Sequence, residues 1–197
     1  MTHTRTPGRT GPRHPGDVRA RIQQVALDLF IEEGYDRTSL REIAERVGVT
    51  KAALYYHFPA KEDLAESLLD ERIAALDALI GWAEQQPDPD RMRPEFLRRY
   101  TAGLHGPGRD ARIARFLGRN PLVLDLLPAG RQLRDRIDRM FALLGGPDPS
   151  PTARLRRILA LLCLHLDDLL PAEPARDEPA RRDAALTLAL ETLQTRG

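Results

Sequence analysis

The chain contains one cysteine, Cys163, which excludes an internal disulfide framework and a multi-cysteine zinc site. Its longest unbroken apolar run, residues 158–164, is far shorter than the roughly 20 residues a helix needs to cross a bilayer. No apolar stretch follows Met1, so no signal peptide is expected. Neither sign of charge dominates. Lys+Arg total 30 and Asp+Glu 29, a formal charge of +1, which argues against coating nucleic acid by bulk charge. Lysine is almost absent: Lys51 and Lys61 stand among 28 arginines. Arg, Ala, Leu and Pro are all abundant, as in a GC-rich genome, so arginine number alone is not functional evidence. Aromatic residues make up only 5%, so their positions carry information. What is present, 197 residues with 42% hydrophobic and 30% charged content, suits one compact domain or two small ones. A soluble, cytoplasmic protein is expected.

Residues 1–16 hold three prolines, three glycines and Arg5, Arg9 and Arg13, and read as a disordered basic arm or an inert leader. Asp17 offers a helix cap. Val18, Ile22, Val25, Ala26, Leu29 and Phe30 follow at three- and four-residue spacing, and Gly34 closes the helix. A second helix starts near Ser39, which forms a capping box with Glu42, and ends at Gly48. Thr50 can cap a third, ending at Phe58–Pro59. A long helix spans about 60–84. Further helices are expected near 94–104, 109–117, 121–127, 132–144, 152–170 and 179–195, with turns at 87–90, 106–108, 128–130 and 145–149 and a polar loop at 171–178. No stretch alternates with period two and no internal repeat is visible. The expected fold class is all-α, with a short-helix domain at 17–62 and a larger helical domain at 63–197.

The informative block is 38–61, TSLREIAERVGVTKAALYYHFPAK. Two short helices meet at Val47-Gly48-Val49, where glycine permits the tight turn of a helix-turn-helix. The second helix of such a unit lies in the DNA major groove. Here it carries Thr50, Lys51, Ala52, Tyr55 and Tyr56. Lys51 and Tyr55 are four apart and share a face; Leu54 and Phe58 suit the opposite, buried face. Lys61 opens the next helix, whose free N–H groups favour a phosphate. A packed three-helix core with surface tyrosines would produce the same block, but less naturally, because the lysines and tyrosines match a groove-facing surface.

The run Leu54-Tyr55-Tyr56-His57-Phe58, then Lys61-Glu62-Asp63-Leu64, resembles the TetR family of bacterial transcriptional regulators. Phe30–Gly34, Thr38, Ile43-Ala44 and Gly48-Val49 support the resemblance, which covers about residues 18–69. It implies that Thr50, Tyr55 and Lys61 grip phosphates and that Arg41, Lys51, Ala52 and His57 lie near base edges. Tyr56 would touch the backbone or help pack the helix. Arg41 also reads as a solvated arginine, and His57 as a residue that caps or packs near a helix end. One departure is Ala60, where such proteins often carry a capping serine.

The resemblance further implies a helix-turn-helix DNA-binding domain at 17–62, a helical ligand-binding and dimerisation domain at 63–197, and a homodimer joined by the last two helices, with Leu161, Leu164, Ala185, Leu186, Ala189 and Leu193 at the interface. One larger monomer core is the other reading of those helices. The middle helices would enclose a mostly apolar pocket. Trp82, His105, Phe116, Met140, Cys163 and His165 are the scarce aromatic, sulfur and imidazole residues there, each also compatible with ordinary packing. His165, Asp167 and Asp168 do not make a metal site without further ligands. No P-loop, G-x-G-x-x-G or nucleophile elbow appears, so no catalytic residue, metal or cofactor is expected. The sequence reads as a ligand-responsive repressor that binds a pseudo-palindromic operator, is released by a small hydrophobic effector, and does not engage membranes. Alternatives are an activator, a partner-controlled regulator, or an all-α binding protein or enzyme with a vestigial helix-turn-helix. Residues 1–61 carry ten basic and seven acidic residues, net +3, and the remainder is net −2. The neutral total therefore conceals a mildly basic reading head.

Overall fold

The computed structural model describes residues 15–120, 122–145, 150–165 and 178–194. Among them lie ten helices and no strand: α1 (Pro15–Glu32), α2 (Leu40–Val47), α3 (Lys51–His57), α4 (Lys61–Glu84), α5 (Pro89–His105), α6 (Arg109–Arg119), α7 (Leu122–Leu126), α8 (Pro128–Leu144), α9 (Pro151–Leu164) and α10 (Glu178–Gln194). The chain divides into two compact units, one ending at Leu64 and one beginning at Ala65. No helix among the described residues is long and apolar enough to cross a membrane. Residues 1–14 of the expected arm, 166–170 of the expected helix at 152–170 and 171–177 of the expected polar loop lie outside the described residues.

In the first unit, α1 buries Ile22, Ala26, Leu27, Leu29 and Phe30, one stripe at helical spacing. It begins at Pro15, so Asp17 sits in the first turn, where an acid suits the helix dipole, and is not the cap. Ile43, Ala44 and Val47 of α2, Leu54 of α3 and the following Phe58 complete this core. The α1–α2 connection also enters it: Tyr35 is buried with its ring 5.2 Å from that of Phe30.

In the second unit, α9 packs along α10, α5 against α6, and α7 against α8. Two expected turns prove partly or wholly helical. Asp88 caps α5 by accepting from the Asp90 and Arg91 N–H groups, and Pro89 occupies the first turn, where its missing N–H costs nothing. Helix α5 therefore starts five residues before the expected position, and Pro94 falls within it. Helix α8 likewise starts at Pro128, so Gly130 lies in its first turn. A Cβ at Gly130 would collide with the Leu124 carbonyl, so the glycine is there for close packing of α7 on α8 and not for a turn. Ion pairs join α4 to α6 and α8. Arg109 is bidentate on Glu71 at 2.6 and 3.1 Å, Arg136 is bidentate on Asp77 at 3.0 Å twice, and the buried Arg72 meets Asp110 at 2.6 Å.

Replacing Gly130 by Ala is expected to destabilise the second unit by about 1–3 kcal/mol through overpacking. Gly81→Ala on α4, where a Cβ meets nothing within 4 Å, should be stabilising by up to about 1 kcal/mol. Urea unfolding of the two variants checks this, and similar midpoints would refute the packing account.

Candidate nucleic-acid interface

Each end of the α2–turn–α3 unit is defined by a local hydrogen bond. The Ser39 hydroxyl accepts from the Glu42 N–H at 3.2 Å. Gly48 adopts φ 77°, the left-handed region that favours glycine, and its N–H donates to the Ala44 and Glu45 carbonyls. Val49 N–H also donates to Ala44 O at 3.0 Å, which closes the turn. The Thr50 hydroxyl then accepts from the Ala53 N–H at 3.2 Å and starts α3. Helix α3 ends at His57, and Phe58, the extended cap residue, precedes Pro59.

Most of the expected DNA residues are exposed. Lys51 and Ala52 are exposed at the start of α3, beside the exposed cap Thr50. Tyr55 and Tyr56 are 49% and 82% exposed, large values for aromatic side chains with a buried core immediately behind them at Leu54 and Phe58. His57 is half-buried, its ring edge-on to that of Tyr56 at 5.3 Å. Arg41 is exposed on α2 and held by Glu45, four residues on, at 2.8 Å.

Lys61 is placed differently from a free surface lysine. Its Nζ donates to the Tyr35 carbonyl at 2.9 Å and the Thr38 carbonyl at 3.2 Å, and lies 4.2 Å from the Tyr35 ring centroid. It therefore ties the start of α4 to the α1–α2 connection. Thr38 is buried there and donates to the Gly34 carbonyl at 2.9 Å. The missing serine at Ala60 is partly replaced from the other side of the cap: Asp63 accepts the Ala60 N–H at 2.8 Å.

Two residues of this unit gave no sequence signal. Arg21 donates to the Val47 carbonyl at 3.0 Å, and Arg19 donates to the His57 carbonyl at 3.0 Å with its guanidinium 4.2 Å from the Phe58 ring centroid. In a chain with 28 arginines, only the tertiary contacts distinguish these two.

The residues expected to bind ligand or a second subunit are more scattered. Phe116 and Met140 are fully buried core residues of α6 and α8. Trp82 is half-buried, with the Arg99 guanidinium 3.9 Å from its ring centroid. Cys163 is half-buried. His105 and His165 do converge on the end of α9: the His105 ring bonds the Leu164 carbonyl at 3.0 Å, and the His165 ring bonds the Tyr100 hydroxyl at 2.9 Å. Asp167 and Asp168 lie outside the described residues. The expected interface set is partly enclosed by the chain itself. Leu161, Leu164 and Ala189 are buried within the single chain, and Ala185, Leu186 and Leu193 are half-buried. Helices α9 and α10 use these sides on their own chain. The apolar side chains left outside are Leu155, Leu159 and Leu162 of α9 and Leu188 of α10, 45–59% exposed.

The model of bacterial regulatory proteins of the tetR family matches residues 22–68, the segment that contains the whole α2–turn–α3 unit. Over that segment the chain is similar to the TetR family of regulators. The HTH-type transcriptional regulator TtgR of Pseudomonas putida is 38% identical over 74 residues, which cover 38% of this chain. That match spans about a third of TtgR, 35% of its length. Solved TetR-family structures extend the likeness to nearly the whole fold. A TetR-family regulator from Bordetella parapertussis superposes with a TM-score of 0.69 over 88% of this chain and 94% of its own, at 18% identity. SmeT, solved as a triclosan complex, gives 0.63 over 86% and 90%, at 24% identity.

Tyr35 supplies a test of the head's packing. Burial, then the negative charges of Glu62 and Asp36 and a hydrogen bond to Glu62, push its phenol up from 10.0 to about 12. The neutral phenol is thus favoured in the folded state. Its contribution is complete below pH 10 and is lost as the pH rises to about 12. Thermal melts of the wild type and Tyr35→Phe between pH 9 and 12 should show a steeper alkaline loss in the wild type. Parallel curves would contradict the assignment.

Proposed function

We propose that this protein is a TetR-family regulator: a homodimeric, sequence-specific DNA-binding transcriptional repressor, released from its operator by a small hydrophobic effector. The observation that carries the DNA-binding reading is the exposure of Lys51, Ala52, Tyr55 and Tyr56 on α3, with Leu54 and Phe58 buried behind them. A short helix mounted in this way presents cationic and aromatic groups outward and is held rigidly, as a major-groove reader requires. Thr50 and Tyr55 grip phosphates through their hydroxyls. Lys51, Ala52, Arg41 and His57 face base edges, and Tyr56 contacts the backbone. Lys61 has two of its three N–H groups on carbonyls, so one remains for a phosphate.

Two such heads must meet successive major grooves about 34–36 Å apart, which requires a dimer. The exposed leucines of α9 and α10 supply the apolar surface for it, together with the half-buried Ala185, Leu186 and Leu193. Effector control follows if a ligand binds the second unit more tightly in one arrangement of the dimer than in another, since equal affinity for both shifts nothing. Helix α4 begins at Lys61 in the first unit and continues to Glu84 in the second, so a shift of that helix would reach the reading head. Small-molecule binding is extended here from SmeT, a neighbour solved with triclosan.

Selection of bound duplexes from a random pool tests the proposal directly. An enriched pseudo-palindrome supports it, and no enrichment over random DNA overturns it. On the selected site, Lys61→Ala is expected to weaken binding to all sequences and to lower the salt slope by about 1. Lys51→Ala should change base preference instead.

Leu159→Glu would bury a charge in the dimer face and is expected to weaken dimerisation at least about tenfold, given about 1.5–3 kcal/mol for a buried leucine. Sedimentation velocity measures this, and an unchanged dimer would move the interface elsewhere.

A further inference from the structure

Helices α2 and α3 have eight and seven residues, too few to hold a helix alone in water. Their orientation must come from outside. At its N-terminal end α3 is fixed by the Thr50 cap and the closed turn at Gly48–Val49. Along its length it has one fully buried anchor, Leu54. An anchor at one point leaves rotation and tilt about that point to be set by the far end.

That far end is held by α1. The last carbonyls of a helix lack partners within it and carry the negative end of its dipole. The Val47 carbonyl closes α2 and accepts from Arg21; the His57 carbonyl closes α3 and accepts from Arg19, both at 3.0 Å. Residues two apart on a helix point about 200° apart around its axis. Arg19 and Arg21 can therefore reach two helix ends on opposite sides of α1. Arg19 is doubly fixed, because its guanidinium also lies over Phe58, the residue that follows α3.

We propose that Arg19 is a positioning residue for DNA reading: it pins the C-terminal end of the recognition helix so that Lys51 and Tyr55 meet base edges in register. Arg21 does the same for α2. This rests on the DNA-binding function proposed above. Arg19 acts through α3, not through phosphate. Its bond to His57 is at the surface, so it adds little to overall stability. Its effect falls on the geometry of the reading face.

The test uses the full chain, a selected operator duplex and a shuffled duplex of equal length, each titrated at several KCl concentrations. A wild type without preference between the duplexes overturns the DNA-reading function itself and the role of Arg19 with it. Given a preference, Arg19→Met, which cannot donate, is expected to lose about fivefold to tenfold in operator affinity, the effect of one hydrogen bond of about 1 kcal/mol. Affinity for the shuffled duplex, the salt slope and the melting temperature should hold. Arg19→Lys, which can still donate to the carbonyl, should recover most of the discrimination. Equal losses on both duplexes with a slope lower by about 1 would make Arg19 a phosphate contact and overturn the inference. A lower melting temperature with discrimination intact would reduce it to a structural residue and overturn it equally.

Discussion

Everything proposed for the reading head depends on burying the inner side of a seven-residue helix. Leu54 and Phe58 enter a core made by Ile22, Ala26, Leu29 and Phe30 of α1 and Ile43 and Val47 of α2. Without that burial α3 would not persist, because helix formation this short is unfavourable. Once it is buried, the outer side is fixed by default. Lys51 and Tyr55 project outward because Leu54 and Phe58 project inward. The apolar pattern thus determines which residues are free to meet a ligand as large as DNA.

Around that core, backbone carbonyls serve as attachment points for cations. Arg19, Arg21 and Lys61 end on the His57, Val47, Tyr35 and Thr38 carbonyls. Each joins residues 23–38 positions apart, so together they link α1, the α1–α2 connection, α2, α3 and the start of α4. Apolar packing holds these elements together, while directional bonds set their angles. The second unit follows a related pattern. Its α4 exchanges bidentate ion pairs with α6 and α8 through Arg109 and Arg136, and α9 and α10 bury one face on each other while Leu155, Leu159, Leu162 and Leu188 remain outside.

Local chemistry was legible in advance. Ser39, Gly48, Thr50 and Pro59 define the ends of α2 and α3 by interactions within four residues, so their reading from sequence agrees with the structure. The starts of α5 and α8 were not legible, because Pro-containing segments suit both a turn and a first helical turn. Asp88 decides the first case by capping, and close contact between Gly130 and the Leu124 carbonyl marks the second.

The sequence alone determined the helical class, the helix-turn-helix and its outward-facing residues, because caps, glycine turns and apolar periodicity act over a few residues. Tertiary structure decided the rest. It turned Lys61 inward, gave Arg19 and Arg21 their carbonyl partners, and placed Leu161, Leu164 and Ala189 inside the chain while Leu159 and Leu162 stayed outside. These outcomes depend on which helix lies opposite which face. In a chain with leucine and arginine on nearly every helix, composition cannot supply that information; only the packed neighbours can.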